Sequence, residues 1–327
     1  MTNDSHIKND NIPKQNRTPF FKWLGLFIIL IILLITAGAI YESIAERSDS
    51  QVYPPSGKLV DVGGYHLHIH CTGHGSPTVV IESGWGDFSS SWGWVQPEVA
   101  KTTRVCTYDR AGTGWSEPSP QPRTAREFAK ELHSLLANAN EHGPYVLVGH
   151  SLGAYTTRIY AHDYPNEVAG LVLIDPQNLS TSDNSPTTPA PIPGGNSLLV
   201  LLARIGIMRL LAGPLGSIQD LPLKDKEAYA ALSVTPRFIQ TFLDEGSGMS
   251  EGAAQARSIT SLGALPLIVL SRGKGLDAQS ADSQKRYLQL STNNQQFFAK
   301  NSGHRIMIEQ PEAAISAIVK MVELVRK

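Results

Sequence analysis

A serine between two glycines is the part of the sequence best suited to chemistry. Residues 149–153 read Gly-His-Ser-Leu-Gly, directly after the apolar run 145–148 and directly before a helical stretch that begins at Leu152. In this context, a Gly-x-Ser-x-Gly segment predicts a tight strand-to-helix turn that lifts the serine hydroxyl above the end of the strand. The free N–H groups of the following helix then face a developing negative charge. Ser151 is therefore the predicted nucleophile.

A serine hydroxyl is a weak nucleophile at neutral pH and needs a neighbouring base. His304 ends the segment 301–304, which reads Asn-Ser-Gly-His and follows the apolar run 297–299. A loop at the carboxyl end of a strand is where such a base has to lie to meet Ser151. His304 is therefore predicted to take the proton of the serine and to return it to the leaving group.

The imidazole in turn needs a carboxylate that fixes its tautomer and stabilises its cation. Asp277 follows the predicted strand 265–270 and gives the chain order Ser, Asp, His. Asp175 ends the preceding predicted strand and could also reach the histidine, and Asp282 is a third choice. We predict Asp277 as the acid and keep Asp175 as the alternative.

An oxyanion needs two N–H groups that point at one place. Leu152 supplies one of them, because it comes directly after the nucleophile. The other is expected from the segment 82–86, which reads Glu-Ser-Gly-Trp-Gly after a short buried strand. We predict the backbone N–H of Trp85, since Gly84 before it leaves room for the chain.

The elements that must position these residues alternate between short apolar runs and amphipathic helical stretches from residue 58 onward. This alternation predicts an α/β fold, with a mostly parallel central β-sheet flanked by helices. The run 145–148 has no charged residue, as expected for a central strand covered on both faces. Residues 177–262 interrupt the alternation and predict a helical cap insertion over the sheet. The apolar stretch 198–215 within it is a helix packed on the core, an apolar lid for an acyl chain, or a surface that dips into the membrane.

The N-terminus is organised differently. Residues 1–22 are polar and predict a disordered tail, whereas residues 23–40 carry no charge and are long enough to cross a membrane as a helix. The basic residues before this run place the N-terminus in the cytoplasm and the folded part, residues 58–327, outside the cell membrane after a linker at 41–57. The alternatives are a cleaved signal peptide with Ala37-Gly38-Ala39 at the cleavage site, which would release the protein, and a buried core helix.

The composition narrows the kinds of partner and ligand that the protein could bind. The formal net charge is -1, which argues against a nucleic-acid partner. The two cysteines, Cys71 and Cys106, match no zinc motif but could form one disulfide outside the cytoplasm. His66, His68 and His70 alternate along one predicted strand and could bind zinc, yet no fourth ligand suggests itself. We therefore predict neither a metal nor a cofactor.

These segments together resemble the α/β-hydrolase fold superfamily over residues 58–325. The resemblance rests on residues 82–86, 108–116, 149–153 and 302–304, which occur in the family's order. It implies an eight-stranded, mostly parallel sheet with a helical cap, in which Asp109 and Arg110 brace the loop beside the active site. Ser151, where some similar families have aspartate, argues against dehalogenase or epoxide-hydrolase chemistry.

The chemistry expected from these residues is hydrolysis of a carboxylic ester or related acyl bond of a small, apolar molecule through an acyl-enzyme. The alternatives on the same residues are an aminopeptidase, an acyltransferase and a C–C hydrolase, because one fold supports many reactions. The more distant alternative is a binding module without catalytic activity. Loss of Ser151 or His304 would indicate such a module, and both residues are present.

Overall fold

A mostly parallel sheet with an apolar centre organises the chain. The structure, a computed structural model, describes residues 18–178, 195–215 and 220–327, so most of the predicted tail and part of the predicted cap lie outside the described residues. Eight strands pair in the order β1-β2-β4-β3-β5-β6-β7-β8. They are β1 (Lys58–Asp61), β2 (His66–Thr72), β3 (Thr78–Glu82), β4 (Val105–Tyr108), β5 (Tyr145–His150), β6 (Val168–Ile174), β7 (Leu267–Arg272) and β8 (Asn294–Ala299).

Strands β3 to β8 run parallel to one another, whereas β2 is antiparallel to both β1 and β4. Every residue of β5 is buried, because helices cover both faces of the sheet there. The fold class predicted from the sequence is confirmed. All parallel strands end at the same edge, which is where open α/β sheets place their ligand sites.

Helices fill the two faces and the cap. They are α1 (Thr18–Val52), α2 (Gln96–Val99), α3 (Ala125–Asn138), α4 (Gly153–Asp163), α5 (Gly195–Arg204), α6 (Ile207–Leu215), α7 (Leu223–Leu232), α8 (Pro236–Arg257), α9 (Ala278–Leu288), α10 (Ile306–Glu309) and α11 (Pro311–Val325). Helices α3, α4 and α9 pack on one face of the sheet, and α2 and α11 pack on the other. Helices α5 to α8 lie between β6 and β7, which pair directly, so they form an insertion within one sheet.

Helix α1 is longer than the apolar run that the sequence singles out. It continues to Val52, so residues 41–52 are helical where the sequence predicts a linker. The reason is tertiary packing, because Glu42 and Asp49 on this part of the helix form ion pairs with Arg209 of α6. The apolar first part of α1 is not buried and is long and apolar enough to span a membrane or to act as a signal sequence.

The histidines of β2 are engaged with side chains nearby. His66 Nδ1 lies 3.0 Å from a Glu117 carboxylate oxygen, and buried His68 Nδ1 lies 2.9 Å from Asp109 Oδ2. Among the described residues, only Cys71, Cys106 and Glu141 bring three ligand atoms within 4.8 Å of one another. Both cysteines of that group are already bonded to each other.

The disulfide Cys71–Cys106 joins β2 to β4 at directly opposed positions of the ladder. It closes a chain segment with a sequence separation of 35. A crosslink of this length restricts the unfolded chain more than the folded one, where the strands are already paired. The sequence leaves the state of these cysteines open, and the structure resolves it in favour of the bond.

Removing the crosslink should therefore lower the stability of the fold. We expect Cys71→Ala/Cys106→Ala to lower the free energy of unfolding by about 2–4 kcal/mol. Urea unfolding followed by circular dichroism measures the change. Dithiothreitol should lower the stability of the wild type and leave the double variant unaffected, so an equal response of both proteins to reduction would contradict the assignment.

Candidate active site

The turn from β5 to α4 holds Ser151 in a left-handed backbone conformation, with φ at 50°. This conformation is costly for a residue with a side chain and persists only where the surroundings enforce it. The surroundings are tight: a Cβ atom on Gly149 would lie 2.5 Å from Thr157 Oγ1, and one on Gly153 would lie 2.6 Å from the Glu82 carbonyl oxygen. Glycine is thus required on both sides of Ser151.

The Ser151 hydroxyl is engaged by a glutamine. It donates to Gln177 Oε1 over 3.2 Å, and the Gln177 N–H donates back to the Ser151 carbonyl oxygen over 3.1 Å. No hydrogen bond joins Ser151 Oγ to the His304 ring in the part of the chain that the structure describes. In free enzymes such bonds often tighten only when substrate binds, so a rotation of the hydroxyl would be needed before proton transfer.

A buried carboxylate holds the ring of His304. His304 Nδ1 lies 2.5 Å from Asp175 Oδ2, and Asp175 is only 2% exposed at the end of β6. Gln284 Nε2 donates to Asp175 Oδ1 over 2.6 Å, and Arg272 Nη1 lies 3.3 Å from Oδ2. Burial alone would raise the pKa of Asp175, but the bond to His304 and the nearby charges lower it. The carboxylate is therefore ionised and fixes the tautomer of the ring with Nδ1–H.

Asp277 lies elsewhere and does a different task. Its side chain accepts the N–H of Ser280 over 2.7 Å and caps the N-terminus of α9. The prediction that Asp277 is the partner of His304 is corrected, because the structure gives that place to Asp175, the alternative. Asp282, the third choice, pairs with Arg286 on the surface. Asp277 still contributes indirectly, since α9 carries Gln284 to Asp175.

His150 is a site residue that the sequence reasoning missed. Its Nε2 lies 2.9 Å from the His304 carbonyl oxygen, which can only accept, so Nε2 carries the proton. Its Nδ1 is buried and has no hydrogen-bond partner among the described residues. Burial and the nearby His304 lower the pKa of His150 to about 4. A neutral ring thus ties the turn around Ser151 to the loop of His304. In the sequence, the position of His150 between Gly149 and Ser151 is the feature that could have indicated this role.

The predicted oxyanion donors lie on two loops that meet at Ser151. A Cβ atom on Gly84 would lie 3.2 Å from the Cβ atom of Ser151, so the loop after β3 passes directly beside Ser151. Neither Trp85 N–H nor Leu152 N–H donates a hydrogen bond to another described residue. Free donors beside the nucleophile are what an oxyanion requires.

Arg110 holds the loop after β3 in place. Its guanidinium donates to the carbonyl oxygens of Ser83 and Gly84, and it forms ion pairs of 2.7 Å with Glu82 and with Glu245 of α8. Burial raises the pKa of Glu82 to about 7 in spite of this pairing, and the Tyr108 hydroxyl donates to the same carboxyl group. One buried cation therefore fixes the loop after β3 relative to the cap.

Apolar residues of the cap contact Trp85 and Gln177, which lie on the two loops beside Ser151. Trp85 stacks on Phe242 of α8 with ring centroids 4.2 Å apart, and its indole N–H donates to the Phe242 carbonyl oxygen. Met249, also on α8, lies with its sulfur 3.8 Å from Gln177 Nε2. The site is thus bordered by aromatic and thioether groups on the side of the cap.

Comparison with known proteins agrees with this architecture. The sequence profile of the alpha/beta hydrolase family matches residues 67–318, which is most of the chain. The chain belongs to the alpha/beta hydrolase family. It is 28% identical over 267 residues to the uncharacterized protein YqjL of Bacillus subtilis strain 168, a stretch that covers 80% of this hydrolase and 90% of YqjL.

Solved structures share the fold of this hydrolase at low identity. The epoxide hydrolase CorEH superposes with a TM-score of 0.66 at 19% identity, covering 82% of this chain and 99% of its own. A thermophilic esterase from Thermogutta terrifontis superposes with a TM-score of 0.61 at 22% identity, covering 83% and 99%. The two differ in activity by their names, so the fold alone does not select the reaction.

The buried His150 predicts a pH dependence of stability. Its pKa is about 4 in the folded state and about 6.5 in an unfolded chain. Between these values the unfolded state binds a proton that the folded state does not. Stability is therefore complete above about pH 6.5 and falls as the pH is lowered towards 4, by about 3 kcal/mol in total.

Urea unfolding at pH 7 and pH 4.5 measures this loss, with His150→Asn as the control that cannot titrate. Wild type should lose about 2–3 kcal/mol more than the variant over this interval. Parallel losses in the two proteins would mean that the ring is not held neutral in the folded state.

Proposed function

We propose that this hydrolase cleaves a carboxylic ester or related acyl bond through Ser151, His304 and Asp175. One observation carries the proposal: Ser151 stands in a strained turn at the sheet edge where His304 is bound to buried Asp175. This arrangement of serine, histidine and carboxylate is the one that acyl transfer uses on several unrelated folds.

The steps follow from the roles of these groups. The Ser151 oxygen attacks the acyl carbonyl while His304 Nε2 takes the hydroxyl proton, and Asp175 stabilises the resulting imidazolium. The N–H groups of Trp85 and Leu152 bind the oxyanion. His304 then protonates the leaving group, and an acyl-enzyme on Ser151 remains. Water, deprotonated by His304, releases the acid. This route requires only side chains and water.

The substrate is proposed to be a small acyl compound with an apolar part. Trp85, Phe242 and Met249 border the site and would contact the acyl or alcohol portion. Such groups offer apolar contact without a charged partner for an ammonium group. They favour an ester over the free amine of a peptide substrate.

We also propose that α1 anchors the enzyme as a single-pass segment, with the N-terminus in the cytoplasm and the catalytic domain outside the cell membrane. Its apolar, unburied first part supports this proposal. The disulfide Cys71–Cys106 supports the same compartment, because such bonds persist in oxidising surroundings.

The nucleophile can be tested with a fluorophosphonate probe, which reacts with activated serines. We expect labelling at Ser151, located by peptide mass spectrometry, and none in Ser151→Ala. The same variant should fall to background in the hydrolysis of p-nitrophenyl esters. If the wild type with a cooperative unfolding transition remains unlabelled and inactive, the proposed chemistry is wrong.

The acid is tested in the same assay by two matched substitutions. Asp175→Asn should lower kcat by about 10³–10⁴-fold, because the amide favours the wrong tautomer of His304. Asp277→Asn should leave kcat within a few-fold of wild type, since asparagine caps helices as well as aspartate does. The reverse order of effects would return the role to Asp277.

The anchor is tested by expressing the full chain and extracting the membranes with alkaline carbonate. A spanning segment keeps the protein in the pellet with the intact mass of the uncleaved chain. A soluble protein that begins after Ala39 would instead support the cleaved signal peptide.

A further inference from the structure

The first two helices of the cap expose an unusual number of leucines. We call α5 and α6, together with the turn Ile205-Gly206 between them, the cap hairpin. Five of its leucines are 40–67% exposed, namely Leu198, Leu199, Leu201, Leu210 and Leu211. Soluble surfaces rarely present so many large apolar side chains close together, and such patches mark contact with a membrane or a partner.

The cap hairpin meets α1 where the exposed apolar part of that helix ends. A Cβ atom on Gly38 would lie 2.5 Å from the Ile205 carbonyl oxygen, and Gly206 packs against the ring of Tyr41. The uncharged part of the helix, from Trp23 to Ile40, ends at this contact and extends for about 27 Å at 1.5 Å per residue. That length matches the roughly 30 Å of hydrocarbon in a bilayer. The cap hairpin therefore begins where the spanning segment would leave the lipid.

An ion-pair cluster fixes this contact. Arg209 of the cap hairpin lies 2.9 Å from both carboxylate oxygens of Glu42 and 2.6 Å from Asp49. These charges are largely buried, and a paired guanidinium and carboxylate are costly to separate once water is excluded. The cap hairpin is thus held against α1 at a constant height along the helix axis.

The charges of the hairpin suit a lipid surface. Residues 195–215 contain Arg204 and Arg209 and no acidic residue. Arg204 is exposed among the leucines. A basic residue beside exposed leucines is the composition of helices that lie in the plane of a membrane, where the cation reaches the phosphates and the apolar groups enter the acyl boundary.

We propose that the exposed leucines of the cap hairpin insert into the interfacial layer of the same membrane that α1 crosses. The inference rests on the proposed anchor and gives the cap a lipid surface as its partner. The cap hairpin also connects the membrane to the site, because α5 packs on α8. On α8, Phe242 stacks on Trp85, and Met249 contacts Gln177, the hydrogen-bond partner of Ser151. The catalytic site then lies next to the bilayer and would take acyl compounds dissolved in it.

Depth measurement on the full chain tests the proposal without any activity assay. The only two cysteines are joined in the disulfide, so an introduced cysteine is the single reactive thiol. Leu201→Cys and Leu210→Cys are labelled with the fluorophore NBD and reconstituted in vesicles of phosphatidylcholine and phosphatidylglycerol. Leu30→Cys reports on the anchor, and Leu59→Cys, 47% exposed on edge strand β1, is the matched control.

We expect lipids with a shallow doxyl group to quench the labels at 201 and 210 and lipids with a deep doxyl group to quench the label at 30. The label at 59 should remain unquenched. Quenching at 30 without quenching at 201 and 210 would overturn the inference and leave the anchor intact. No quenching at any position would remove the anchor and the inference with it. A blue-shifted label at 210 that is unquenched and loses its shift on dilution would indicate a second copy of the chain instead.

Activity gives an independent readout. Leu201→Ser/Leu210→Ser should hydrolyse a long-chain ester embedded in vesicles several-fold more slowly than wild type, with unchanged rates on a short, water-soluble ester. Leu59→Ser should behave as wild type on both. Equal rates of the double variant and wild type on the embedded ester would contradict the role of the cap hairpin.

Discussion

The left-handed turn at Ser151 is the constraint on which the rest of the site depends. It exists because three chain segments approach more closely than any side chain would allow, at Gly149, Gly153 and Gly84. The close approach to Gly84 brings the loop after β3 beside Ser151, and the Trp85 N–H of this loop donates to no other described residue. The turn also sets the position of His150, whose ring reaches the carbonyl group of His304. Backbone geometry thus places the proposed nucleophile, the proposed base and the proposed oxyanion donors at one edge of the sheet.

Arg110 extends this constraint to the cap. A buried guanidinium must be paired, and its partners here are Glu82 on the sheet and Glu245 on α8. Because the same guanidinium binds the carbonyl oxygens of Ser83 and Gly84, the loop that would form the oxyanion hole cannot shift without unpairing it. The cap is therefore fixed to the site by this ion pair. The stacking of Trp85 on Phe242 of α8 adds an apolar contact between the same two parts.

Local patterns predicted the sheet, the proposed nucleophile Ser151 and its proposed base His304. Strand periodicity and the Gly-x-Ser-x-Gly spacing are properties of short segments. The acid could not be chosen in this way. Asp175 and Asp277 both follow central strands, and the choice depends on the backbone at Asp175, with φ at 38°, and on the helix cap made by Asp277. The extension of α1 to Val52 was missed for a related reason. Its Ser-rich sequence is typical of a linker, whereas its helical form is stabilised by contacts with the distant cap, among them the ion pairs of Arg209.

The similarity to both an epoxide hydrolase and an esterase shows why the reaction has to be argued from individual residues. At 19% and 22% identity these structures share the fold of this chain, and by their names the fold accommodates both activities. A carboxylate nucleophile needs no base for its attack, whereas a hydroxyl does. As a nucleophile, Ser151 therefore needs His304 as its base. His304 in turn needs the buried Asp175, whose bond to Nδ1 leaves Nε2 to accept a proton. Each of the three residues explains why the next is needed, and this dependence favours acyl chemistry more strongly than any overall likeness of fold.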